Sequence, residues 1–168
     1  MGSDKSSDNS SDHLLESYEQ GQRDFSGQDL RQITLSGERL VGIDLSKADL
    51  RHADLSGADL SSALLMYANL SNANLSGANL GGANLLGCQL QYANLSEASL
   101  ALADLSHADC YCTDFSQSNF MRAILINAKQ VDTANFEGAI FSHTTLPDGT
   151  LQEYLIGAER SHLDVDPD

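Results

Sequence analysis

A five-residue beat governs this chain. From Phe25 to Leu125 every fifth residue is Leu or Phe at 20 of 21 positions, with Cys110 the departure. A second register runs two residues earlier, where positions 48 to 108 hold Ala at 12 of 13, with Cys88 the exception. A period of five fits neither the helix nor the strand, whose side chains repeat every 3.6 and 2.0 residues. Such a chain buries its apolar register by winding into a solenoid, so most of its residues are scaffold.

Each repeat reads Ala, then Asp or Asn, then the central Leu or Phe, then Ser, then Gly or a polar residue. Ala53-Asp-Leu-Ser-Gly57 and Ala73-Asn-Leu-Ser-Gly77 show it cleanly. Ala is small enough for a crowded wall, Leu fills stacked layers, and Ser-Gly is turn chemistry. All five Phe fall at central positions, whereas Tyr67, Tyr92 and Tyr111 fall at outward ones, where a phenol finds a partner.

These motifs resemble the pentapeptide-repeat family, over residues 23–147. The resemblance implies an all-β fold: a right-handed quadrilateral parallel β-helix in which four repeats make one square coil. The central residue and the one two before it would point inward, and the other three outward. At a strand spacing of about 4.8 Å, roughly six coils would form a rod about 30 Å long. The entry segment and the Thr-Leu-Pro-Asp-Gly exit look like those of cyanobacterial members.

A solenoid exposes unpaired backbone at both ends, so short helical caps are expected at both. Residues 1–11 read as a disordered polar tail and 12–22 as an N-terminal capping helix. In that helix Asp12 is the N-cap, Leu14, Leu15 and Tyr18 the apolar face, and Gly21 the stop. Residues 148–168 read as a turn, a capping segment and an acidic tail, with Leu151, Tyr154 and Leu155 at helical spacing. The beat slips once. Centres run 115, 120, 125, Gln130, then 136, 141 and 146, with the extra residue in Val131-Asp132-Thr133. A bulge or a short loop explains it, and a partner contact is the sharper alternative.

The net charge of −15 makes DNA or RNA an unfavourable direct ligand. Residues 1–20 carry −4, residues 21–147 carry −6 and residues 148–168 carry −5, so much of the charge sits on the tails. No run approaches the roughly 18 apolar residues of a membrane span. The polar start carries no secretory signal, and an odd number of Cys suits a reducing compartment. Together these make the cytoplasm, away from membranes, the expected setting.

No nucleophile–base–acid set is readable, so the chain is not expected to be an enzyme, and no cofactor is implied. His13, His52, His107, His143 and His162 are scattered, and a general base needs a fixed neighbour. Cys88 and Cys110 fall inside and Cys112 outside, so three thiols do not converge on a metal.

Function is therefore sought on the surface. With 20 residues per coil, one side runs through centres 25, 45, 65, 85, 105 and 125 and carries Leu64, Met66, Tyr67 and Leu86 at outward positions. The next side carries Tyr92 and Tyr111. Ile124, Ile126, Ala101, Leu102 and Met121 would extend the surface. Outward apolar residues on a polar solenoid mark an interaction site, with cover by a terminal segment or tolerated drift as the alternative. The expected function is a non-enzymatic protein-binding scaffold, a regulator whose protein partner, of unknown identity, docks on the β-helix faces. A homodimer is one form such a contact takes. The resemblance supplies a rival, because some family members bind type II topoisomerases (gyrase) as DNA mimics. At the position before each centre the acids are banded: Asp44, Asp49, Asp54 and Asp59, then neutral residues at every such position from Leu64 to Ser99, then Asp104, Asp109 and Asp114.

Overall fold

The computed structural model describes residues 8–153 and 155–156. Its body is a β-helix built from single β-bridges. Residues 20 apart pair in parallel, from Asp24 with Asp44 through Asp109 with Lys129, four bridges to each turn. Each coil hands its amides to both neighbours. Leu55 N–H donates to Asn74 O at 2.7 Å, and Asn74 N–H returns to Ala53 O at 2.9 Å.

The inward registers fill the interior. The central Leu and Phe from Phe25 to Leu125 are buried, with Ala packed between them. Where Ala is replaced by a polar residue, the side chain finds a carbonyl. Thr113 Oγ1 donates to Leu90 O at 2.8 Å, Ser118 Oγ to Phe115 O at 2.6 Å and Thr144 Oγ1 to Phe120 O at 2.6 Å. That satisfaction is what lets a hydroxyl sit in an apolar core. Four rings fill the last two coils. Phe115 stacks on Phe136 and Phe120 on Phe141, each pair with centroids 5.1 Å apart.

The slip near residue 130 is a 3-10 turn, Val131–Thr133. Beyond it the bridges join residues 21 apart: Asp114 with Asn135, Asn119 with Ile140 and Ile124 with Thr145. Gln130, expected at a central inward position, is instead exposed, and Val131 is buried. The amide is expensive to bury and bonds Asp109 Oδ1 at 3.0 Å, so the apolar neighbour takes the inward place.

At the N-terminus an α-helix, α1, spans Asp8–Glu19. It starts earlier than expected: residues 8–11 are helical rather than tail, and Asp12 lies inside the helix instead of capping it. Residues 1–7 of the expected tail lie outside the described residues. Leu14 enters the core, with Leu15 and Tyr18 packed against it. The helix also answers the first coil's open edge. Tyr18 Oη donates to Val41 O at 2.9 Å, and Ser11 Oγ accepts from Thr34 N–H at 3.3 Å. Gly21, at φ +98°, ends the helix, and Gln22 N–H reaches back to Ser17 O at 3.0 Å.

The C-terminal end closes differently from the expected helix. Strands β1 (Ile140–Phe141) and β2 (Thr144–Thr145) belong to the last coil. Strands β3 (Leu151–Gln152) and β4 (Leu155–Ile156) then lie antiparallel on β2 and β1. The Leu151 and Leu155 spacing suits a helix, but an open strand edge offers unpaired backbone that only an extended chain can match. The expected turn at 147–150 makes the reversal. Asp148 Oδ1 accepts from Thr150 N–H at 2.8 Å, and Gly149 sits at φ +84°. Tyr154 and the acidic tail from 157 onward lie outside the described residues.

Size errors in either direction at adjacent inward positions should therefore destabilise the rod. Leu80→Ala is expected to cost about 2–5 kcal/mol through its cavity. Ala78→Val should cost about 1–3 kcal/mol through overpacking. Urea unfolding followed by far-UV circular dichroism measures both.

Candidate protein-binding surface

The outward surface is built from a turn that recurs at nearly every repeat. The Asp or Asn before each centre accepts, through Oδ1, the backbone N–H two residues on. Asp44 takes Ser46 N–H at 2.9 Å, Asn84 takes Leu86 N–H at 3.0 Å, and Asp104 takes Ser106 N–H at 2.9 Å. These carboxylates are turn formers first and surface charges second. Amides also separate them along the rod. Asn74 Nδ2 donates to Asp54 Oδ1 at 3.3 Å, Asn79 Nδ2 to Asp59 Oδ1 at 3.0 Å and Asn135 Nδ2 to Asp114 Oδ1 at 3.0 Å. Asp faces Asp across a bridge at Asp24–Asp44 and Asp29–Asp49, and the second pair is braced by Arg31 and Arg51.

Hydrogen bonding shows in the titration of these acids. Asp24, Asp59 and Asp148 are held below the ordinary 3.8, chiefly by hydrogen bonds from Ser26, Ser61 and Thr150. Hydrogen bonds from Arg31 and Arg51 lower Asp29 and Asp49 in the same way.

The second element is the corner two residues after each centre, where the backbone is left-handed whatever the residue. Gly57 has φ +65°, while Tyr67, Tyr92 and Leu102 have φ of 59°, 58° and 63°. Such a conformation costs an ordinary residue about 1–2 kcal/mol, and bulky side chains rarely adopt it. Yet Tyr67, Tyr92 and Leu102 are exposed by 55%, 56% and 63%.

On this frame the six residues singled out from the sequence fall into two groups. Leu64 and Tyr67 are exposed, and Met66 and Leu86 half-buried. Leu64 bridges to Asn84, and Tyr67 N–H donates to Leu86 O at 2.9 Å, so Met66 and Leu86 follow each other in one column. The Cδ1–Cε1 edge of the Tyr67 ring lies against Gly87, where an added Cβ would fall 2.6 Å from both atoms. Gly87 is therefore the floor of an aromatic shelf. On the next side Tyr92 and Tyr111 meet edge to face, centroids 5.3 Å apart. The Tyr111 hydroxyl is raised above its ordinary value, first by its side-chain hydrogen bond with Tyr92.

More apolar surface lies toward the C-terminus than the sequence suggests. Leu102, Met121, Ile124 and Ile126 are exposed, as expected, and so are Ile140 and Leu151. The sequence does not single out those last two, because Ile140 follows the slip and Leu151 carries helical spacing. Cys88 and Cys110 are buried, and burial pushes both thiols up to about 12, whereas Cys112 is exposed. Among the described residues no group of His, Cys, Asp or Glu is arranged to hold a metal ion, and no helix is long and apolar enough to cross a membrane.

Comparison with known proteins agrees with this architecture. The family model for pentapeptide repeats matches eight copies over residues 29–65, 68–101 and 98–129. The crystal structure of alr5209, a pentapeptide repeat protein from Nostoc PCC 7120, is 42% identical, covers 58% of this chain and 78% of its own, and gives a TM-score of 0.55. Rfr23, from the cyanobacterium Cyanothece 51142, is 25% identical, covers 77% of this chain and 99% of its own, and gives 0.54. No curated protein matches the chain significantly.

If the carboxylates serve as turn acceptors, Asp104→Asn should change stability by less than about 0.5 kcal/mol, and Asp104→Ala should cost about 1 kcal/mol. Chemical denaturation separates the two. The pH dependence has a fixed sign. Asp24, Asp29, Asp49, Asp59 and Asp148 hold protons less tightly folded than unfolded, so their contribution is complete above the ordinary 3.8 and lost as pH falls through their lower folded values. Thermal melts below pH of about 4 should show a falling midpoint, shallower in Asp59→Asn.

Proposed function

The chain belongs to the pentapeptide-repeat family, and we propose that it is a non-enzymatic scaffold that binds a protein through the sides of its β-helix. One observation carries the reading. Apolar side chains stand where the local fold favours something else. Leu64 and Ile124 occupy the position before the centre, where an Asp or Asn would supply the turn acceptor, and an aliphatic side chain has none to give. Tyr67 occupies a left-handed corner that glycine fills at lower cost, over a glycine that makes room for its ring. Departures that weaken the scaffold and enlarge its apolar surface fit contact with another protein.

The surface so defined comprises Leu64, Met66, Tyr67 and Leu86, with Tyr92 and Tyr111 on the adjoining side. Within the patch the neighbouring positions before the centres are the amides Asn69, Asn84, Gln89 and Asn94, while Asp44 borders it at Leu64 and Asp109 at Tyr111. Self-association into a homodimer is one way of covering it. A regulatory role exercised through such contacts rests on the family resemblance alone. A right-handed quadrilateral winding of about six coils belongs to the same proposal, supported by four bridges per 20-residue turn. So does a cytoplasmic setting away from membranes and nucleic acid, supported by three free thiols and the net charge of −15. A gyrase-binding DNA mimic is the competing reading of an acidic rod. Carboxylates tied into turns and spaced by amides favour the scaffold.

Leu86→Asp with Met66→Asp is expected to abolish the partner or self-contact while leaving the circular dichroism of the coil unchanged. Sedimentation velocity and affinity capture from the native host, wild type against double variant, measure this, and unchanged association with every partner found would remove the proposal. Dose-dependent inhibition in a gyrase supercoiling assay would instead establish the competing reading.

A further inference from the structure

The basic residues of the repeat region are unevenly placed. Arg23, Arg31, Arg39, Lys47 and Arg51 crowd into its first part, and no Lys or Arg follows until Arg122. Two of them occupy the same position on successive coils. Arg31 Nε and Nη2 grip Asp29 Oδ1 and Oδ2 at 2.7 and 2.6 Å, and Arg51 grips Asp49 in the same way at 2.8 and 2.6 Å. Arg31 Nε also lies 3.8 Å from Asp49 Oδ2. Each guanidinium carries five N–H donors, so its Nη1 edge has donors beyond those bound by its own aspartate.

The result is a pair of guanidiniums held in one orientation, one coil apart. They border an open cleft of about 700 Å³ whose remaining lining is Asp29, Gln32 and His52. Gln32 and His52 sit at successive left-handed corners, φ 59° and 60°, beside their respective arginines. Neutralising stacked aspartates explains why arginines are present. It does not require two side chains with further donors to line the same cleft.

We infer that this cleft binds an oxyanion, the shared chemistry of a phosphate monoester and a carboxylate. The aspartates fix the forks and so reduce the side-chain entropy lost on binding. A ligand oxygen pair meets the free edges of Arg31 and Arg51, and Gln32 and His52 supply further donors. The charge of −15 does not forbid this, because the two Arg and two Asp cancel locally. The remaining acids are screened over about 8 Å at physiological ionic strength.

The test follows arginine Nε–H resonances and the backbone amides of Gln32 and His52 by NMR, at constant ionic strength set with sodium chloride. Inorganic phosphate and acetate are titrated separately. Saturable shifts confined to these groups with either probe support the inference, and the stronger probe identifies the ligand chemistry. Weakening by roughly tenfold or more in Arg31→Gln with Arg51→Gln is expected. Should that double variant fail to fold, Arg51→Lys decides, since it keeps the charge and loses the fork; a roughly tenfold loss is expected there too. Linear shifts with both probes, or affinity unchanged in the folded variant, would overturn the inference.

Discussion

Backbone hydrogen bonds between successive coils are the interaction on which everything else rests. Each coil is both donor and acceptor to its neighbours, as Leu55, Asn74 and Ala53 show. No coil satisfies itself, and each helps complete the next. The apolar interior follows from the same geometry, since pairing residues 20 apart stacks Leu on Leu and Ala on Ala. The ends are then the difficult places. One is met by side chains, Tyr18 and Ser11 of a helix, and the other by backbone, in strands laid antiparallel on the last coil.

The same ladder divides the outward positions by cost. The position before each centre is wanted for a turn acceptor, and the corner is held left-handed. Asp and Asn at the first, and Gly or Asn at the second, agree with local demand. This separates acidic residues that shape the rod from residues that its shape does not call for. Leu64, Ile124 and Tyr67 belong to the latter.

Most of the fold was legible because the period is long, regular and unlike either common secondary structure. The inward register, the outward tyrosines and the location of the slip were all readable from it. What escaped was set by neighbours distant in sequence. Leu151 and Leu155 carry helical spacing, yet the open edge beside Ile140 and Thr145 draws them into strands. Gln130 keeps the beat, but an amide cannot compete with Val131 for an apolar interior. For the surface, the column holding Met66 and Leu86 was legible from the coil length. The shelf of Tyr67 over Gly87 was not, because it depends on a side-chain direction. The paired grip of Arg31 and Arg51 likewise needs coordinates, since sequence spacing alone does not say which atoms meet.

A coil of 20 residues also makes the rod a counting device. Adding or removing one whole coil upstream of the slip would move the C-terminal strands along the axis and leave every column in line. A single five-residue insertion would preserve the beat, the core and the turn chemistry, yet carry everything after it a quarter of the way round. Placed between Tyr67 and Leu102, it would take Ile124 and Ile126 off the side they share with Tyr67 and bring Leu102 onto it, with no local sign of damage. Change in such a chain is therefore quantised: length comes in fours of repeats, and anything else rewrites which surfaces look in the same direction.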